Sequence, residues 1–254
     1  MVSTATRGFA SVADTALLAG VLLSGTPEQE VLRTCRLVMR RGAVHELRIL
    51  KAGREKTVSG YFDSPERMAE EVLKLDGRYS GIYLTLNPCK PELLARAYNR
   101  VIPYAELTTA DHDILCRHWL LIDCDPRRPA GISSTDAEHG RAITTACGIW
   151  DDLRGEGWPD PVVADSGNGA HLLYQINAPN SLAVTQLIQR TLKGIAERCA
   201  PDDIDVDLSV FNPARITKVY GTLTRKGDST PERPHRRSRL LEIPQPLRVM
   251  ELTA

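Results

Sequence analysis

The chain has 254 residues, 42% of them hydrophobic, and its 32 Lys and Arg are balanced by 32 Asp and Glu. That is apolar material for one large core or two small ones, and the neutral balance excludes recognition of a polyanion by overall charge, leaving local patches as the only route. The six cysteines, at 35, 89, 116, 124, 147 and 199, form no CxxC pair and no zinc spacing, so reduced thiols in a cytoplasmic protein are expected, with no disulfide framework and no structural zinc.

In chain order, the apolar run ALLAGVLLSG at 16–25 is too short to span a membrane and follows Asp14, which predicts a packed N-terminal helix. Thr26-Pro27 with Gln29 is a capping box with proline at the first helical position, and Gly42 is expected to end that helix. HELRIL at 45–50 alternates as a strand, with EKTVSGYF at 55–62 as its partner through the turn KAGR. Ser64-Pro65 starts a helix to about Leu75, GIYLTLNP reads as a strand and PELLARAYNR as a short helix. This gives N-terminal helices over 1–43 and an α/β unit over 44–110.

A second module is expected over 111–245. It opens with the strand RHWLLIDCDP and a long helix capped by Thr135 with Glu138 three residues on. Strands at PVVADSG and AHLLYQI follow, then a helix from Ser181 to Cys199 and strands around IDVDLSV and RITKVYGT. Strand, helix, strand, strand, helix, strand is the split βαβ order of ferredoxin-like and RNA-recognition (RRM-like) folds, so the fold class is α+β, with an antiparallel sheet and helices packed on one side. STPERPHRRSR near the C-terminus reads by composition as a loop or linker.

Three groups carry chemistry. In LLIDCDP, Asp123 and Asp125 lie two apart on a strand and therefore share a face, where two like charges need a cation. DSGNGAHLLY holds Ser166, Gly167, Asn168, Gly169 and His171, and IDVDLSVFNPARI holds Asp205, Asp207 and Arg215. Taken singly they read as a turn signal, a hairpin loop and a core histidine. Taken together, carboxylates for Mg²⁺ or Mn²⁺, a glycine-rich turn whose amides can approach phosphate and a neighbouring histidine are the parts needed to handle a nucleoside triphosphate.

These motifs resemble those of the prim-pol branch of the archaeo-eukaryotic primase superfamily: an apolar strand ending in DxD, an SxH-type turn written here Ser166-Gly167-Asn168-Gly169-Ala170-His171, and a later hydrophobic strand with Asp. HELRIL, SGYF, GIYLTLNP, DPRRPAGISST, NPARITKVYGT and RKGD extend the resemblance from about residue 44 to 242. It implies an RRM-like catalytic module joined to an N-terminal α/β unit, template-directed nucleotidyl transfer from dNTPs or NTPs to a primer 3′-hydroxyl on single-stranded DNA, and a capacity for primer synthesis. By the same resemblance Asp123, Asp125 and Asp207 would hold a two-metal Mg²⁺ or Mn²⁺ site, with Asp205 the rival to Asp207. Ser166, Asn168, His171, Arg215 and Lys226 would face the nucleotide, and Arg48, Tyr83 and Asn87 are weaker candidates. No Walker A sequence is present, so helicase activity would come from a partner or a further C-terminal domain.

Two basic patches offer template contacts: Arg33 to Lys56, and Arg215 to Arg239, where Arg236, Arg237 and Arg239 are the DNA-binding candidates. No membrane partner is expected. Two rival readings are a glycosyltransferase that uses DxD to hold a nucleotide-sugar, which leaves His171 and the third carboxylate idle, and a nucleotide- or DNA-binding module of a replication or defence protein without chemistry, which leaves the intact acids unexplained.

Overall fold

A computed structural model describes residues 25–50 and 57–252; the helix expected over 16–25, except Gly25, and the KAGR turn lie outside the described residues. Helix α1 (Pro27–Val38) starts with the reciprocal cap between Thr26 and Gln29, and α2 (Pro65–Leu75) is capped by the Ser64 hydroxyl on Arg67 N–H. Helix α1 stops at Val38, short of Gly42, which instead supplies the left-handed turn (φ +76°) before β1.

The first sheet joins β1 (His45–Ile49), β2 (Val58–Phe62), β3 (Ile82–Thr85), β4 (Arg100–Ile102) and β9 (Ile216–Lys218) in the order β4-β2-β1-β3-β9. Alternation sends Leu47, Ile49, Phe62, Ile82 and Leu84 onto Val31, Cys35 and Val38 of α1 and Met68 and Val72 of α2, forming one core. The other face of the sheet carries a row of directly opposed residues, Ser59, Arg48, Tyr83 and Lys218. The stretch 91–96, expected as a short helix, is a 3-10 helix.

The second sheet contains β5 (Cys116–Pro126), β6 (Val162–Asp165), β7 (Ala170–Pro179), β8 (Ile204–Val206) and β12 (Arg239–Glu242) in the order β12-β6-β7-β5-β8, every pair antiparallel. Helices α3 (Asp136–Gly155) and α4 (Leu182–Cys199) cover one face, with Ala142, Ala146, Ile149, Ile188 and Leu192 packed on Ile122, Cys124, Leu172 and Val206. The fold is α+β, as the sequence predicts, and β8-β5-β7-β6 reproduces the split βαβ arrangement.

Two expectations are corrected. The strand at 216–218 does not stay in the second module: it pairs with β3 and forms the edge of the first sheet. The Pro/Arg-rich stretch is no linker where it contains Arg236–Arg237 (β11), which pairs β10 (Leu223–Thr224), and β12, which adds an edge strand to β6. Composition marked it as a loop, but the ladder bonds to β6 and Glu30, which accepts Leu240 N–H at 2.6 Å from the first core, fix it in place.

Asn87, a weaker site candidate, sits at the seam between the sheets. Its Oδ1 accepts His118 N–H at 2.8 Å and its Nδ2 donates to the Pro213 carbonyl at 3.0 Å. Asn87→Ala strands both buried backbone groups, so urea denaturation should show a loss of about 2–4 kcal/mol.

Candidate active site

Because β5 carries Asp123 and Asp125 on the face away from α3 and α4, both acids point toward the first sheet. Directly opposite Asp123 on β7 is His171, whose Nε2 lies 3.3 Å from Asp123 Oδ1. The Asp125 carboxylate is 3.1 Å from the Arg128 guanidinium and 3.9 Å from Lys226 Nζ. Arg128 is fixed by its bonds to the Pro126 and Ile132 carbonyls, so the charge beside Asp125 is preset.

A cavity of about 200 Å³ opens between the two sheets, lined by Asp123, Asp125, His171, Arg215 and Lys226 among others. On the far side of the same two acids runs a wider groove of about 960 Å³, bordered by Arg127, Asp205, Asp207 and Arg225. Asp123 and Asp125 form the wall common to both. Burial pushes the Asp123 carboxyl up, but His171, Lys226 and Arg215 outweigh it and hold the group below the usual carboxylate range. The Tyr83 phenol, half-buried and near both acids, is pushed up by desolvation first and by their charge second.

The hairpin turn between β6 and β7 is shaped by its glycines. Gly167 has φ +92°, and a side chain on Gly169 would collide with the Cys124 carbonyl, so the turn can lie against the DxD strand only with glycine there. Ser166 Oγ accepts Gly169 N–H at 3.0 Å, leaving its own proton to donate. Asn168 is 2% exposed; its Oδ1 accepts Ser134 N–H at 2.8 Å, while its buried Nδ2 has no partner. Arg215 is aimed by Asn212 Oδ1 at 3.1 Å and by the Ser209 carbonyl.

Asp207 is delivered to the same place: its N–H donates to the Asp123 carbonyl at 2.9 Å. Its Oδ1 accepts Ser209 N–H at 2.7 Å, capping a 3-10 turn over 208–211, so Oδ2 is the oxygen left for a ligand. Asp205 stands opposite Asp125 but is ion-paired to Arg127 at 2.7 Å. Among the described residues no three His, Cys, Asp or Glu side chains are gathered as a ready metal cluster. The acids nonetheless supply hard carboxylate oxygens on one face, a donor set suited to Mg²⁺ or Mn²⁺.

No family model matches the chain, and no curated protein matches its sequence. Among solved structures it is similar to the crystal structure of primase RepB′, with TM-score 0.49 and 11% identity over 84% of this chain and 55% of that one. It is also similar to the crystal structure of the catalytic domain of primase RepB′ in complex with initiator DNA, with TM-score 0.47 and 13% identity over 86% and 85% of the two chains. The chain thus spans little more than half the length of the first of these.

The three arginines chosen for DNA divide. Arg236 is 2.5 Å from Asp136 and Arg237 is 2.5 Å from Asp76, both holding the C-terminal segment to helix termini, whereas Arg239 is exposed. In the other basic patch Arg48 is bound to the fully buried Glu46, which also accepts the Ser59 hydroxyl and Thr109 N–H. Sequence reasoning missed Arg128, Lys218, Tyr220 and Thr224. Tyr220 Oη is 2.7 Å from His171 Nδ1; burial pushes that phenol far up, so it stays neutral and can donate to Nδ1, which puts the ring proton on Nε2 beside Asp123. DPRR and TKVYGT were visible as motif text, but only the pairing of β9 with the first sheet brings Lys218 to the cavity wall. Gly169→Ala forces the hairpin away from Cys124, and thermal unfolding should register a loss of about 2–4 kcal/mol.

Proposed function

We propose that this chain is a template-directed nucleotidyltransferase, a primase-polymerase domain that adds nucleotides from dNTPs or NTPs to a 3′-hydroxyl. The observation that supports it is the convergence on one cavity of two carboxylates that share a strand face and the cationic or donor side chains around them. Asp123 and Asp125 would hold Mg²⁺ or Mn²⁺, with Asp207 Oδ2 as the third oxygen donor; the bound ions would neutralise triphosphate charge and favour the 3′-alkoxide. An acid pair alone would repel a triphosphate.

Lys226, Arg215 and His171 counter that repulsion and orient the phosphates. The free Asn168 Nδ2 and the Ser166 hydroxyl add neutral donors from the turn. The 3′ oxygen then bonds to the α-phosphorus while the bond to pyrophosphate breaks, and the shared wall of acids is where the two reactants must meet. The wider groove, edged by Arg127 and Arg225, would take the growing strand and its template. Of the three C-terminal arginines, Arg239 is the exposed one and would contact DNA without dismantling an ion pair among the described residues.

Primer extension with labelled dNTPs and Mn²⁺ tests the reading. Asp123→Asn and Asp125→Asn should each lower extension by about a hundred-fold or more while circular dichroism remains native. Asp207→Asn should abolish extension and Asp205→Asn should leave at least about a tenth of it, because only the former removes an unspent ligand oxygen. Wild-type protein that extends no primer overturns the proposal. Arg225→Ala should weaken template binding in anisotropy titrations, lowering the slope of log K against log salt by about 0.7.

A further inference from the structure

Lys218 is a buried amine at the wall of the cavity, with no counter-ion within ion-pair distance among the described residues. It is 3% exposed, on β9 directly opposite Tyr83, with Nζ 5.4 Å from the Tyr83 ring centre and 3.4 Å from the Leu223 carbonyl. The groups that act on its charge are Asp76 at the end of α2, Lys226 beyond β10 and Arg237 on β11. Asp76 is no free partner: its carboxylate is 2.5 Å from Arg237 and accepts Leu223 N–H at 2.8 Å. Lys226 is turned to Asp125. Burying an ammonium with one long carbonyl contact opposes folding, and methionine of similar length would fill the same space without that cost. The cavity holds what the fold does not provide, room for an anion.

We infer that Lys218 binds the triphosphate of the incoming nucleotide from the edge of the first sheet, and that it takes up a proton when the nucleotide binds. The inference rests on the nucleotidyl-transfer reading and adds a residue and a linkage to it. Burial, with Lys226 and Arg237 adding repulsion, lowers the amine to about 7 in the free protein. At pH 8 most of the amine is therefore neutral. A polyanion placed against it restores its affinity for a proton, so binding draws in a proton and nucleotide affinity falls as pH rises above 7.

The test is isothermal titration of the full chain with dATP and Ca²⁺ at pH 8, in buffers of different ionisation enthalpy. Wild-type protein should take up about one proton per nucleotide beyond the Lys218→Met variant. Lys218→Met should bind about ten-fold or more weakly while melting at the same or a higher temperature, and Lys218→Arg should bind without the proton uptake. Binding by wild-type protein with uptake equal to that of Lys218→Met overturns the role of Lys218 and leaves the proposed function standing. No binding of dATP by wild-type protein overturns both. A Lys218→Met protein that melts lower yet binds dATP with unchanged affinity makes the lysine a structural residue only, and overturns the inference.

Discussion

The exchange of one strand between two sheets governs the geometry of this molecule. After β8 the chain leaves the second sheet at Asp207, turns through the 3-10 helix and bonds to β3 as the edge of the first sheet, with the Arg215 carbonyl accepting Leu86 N–H at 2.9 Å. It returns through Tyr220, whose carbonyl accepts the Thr34 hydroxyl at 3.1 Å, and through Gly221, whose N–H donates to the Ser238 carbonyl at 2.8 Å. Backbone ladder bonds are obligatory once the strand is buried, so this path is fixed firmly. Along it lie Arg215, Lys218, Thr224 and Lys226, which is why one segment supplies nearly half of the residues that line the cavity.

The second constraint is electrostatic. Asp123 and Asp125 are held side by side by the pleat of β5, and their mutual repulsion is offset by groups from three different elements: the Nε2–H of His171 on β7 and the charges of Arg128 after β5 and Lys226 after β10. The surroundings are overpaid with positive charge on the cavity side, where Arg215 and Lys218 have no carboxylate of their own within ion-pair distance among the described residues. Such an arrangement suits a doubly occupied site, a divalent cation on the acids and a polyanion on the bases. On the proposed reading, a bound anion would return the stability that the buried lysine costs.

Much of the site was legible in local sequence because its parts are short-range. Two acids at i and i+2 of a strand must share a face, and glycines at 167 and 169 mark a turn that only they can make against Cys124. Helix boundaries were legible for the same reason, since the caps of Thr26, Ser64, Thr135 and Ser181 act over three residues. The long-range pairings were not. Composition made a linker of 229–239, yet Arg236 and Arg237 find Asp136 and Asp76, about a hundred residues or more away in the chain, and their charge is spent there.

By itself the sequence determined the α+β class, the order β5-α3-β6-β7-α4-β8 of the second module, and the shared face of Asp123 and Asp125, because periodicity, capping and turn chemistry are properties of neighbouring residues. The tertiary structure alone decided that β9 belongs to the first sheet, that Tyr220 meets His171, and that Lys218 lines the cavity with no counter-ion among the described residues. Those depend on which edge strand is free to accept a partner and on which charges remain unpaired once every other ion pair has closed, and both are settled only when the two sheets face each other.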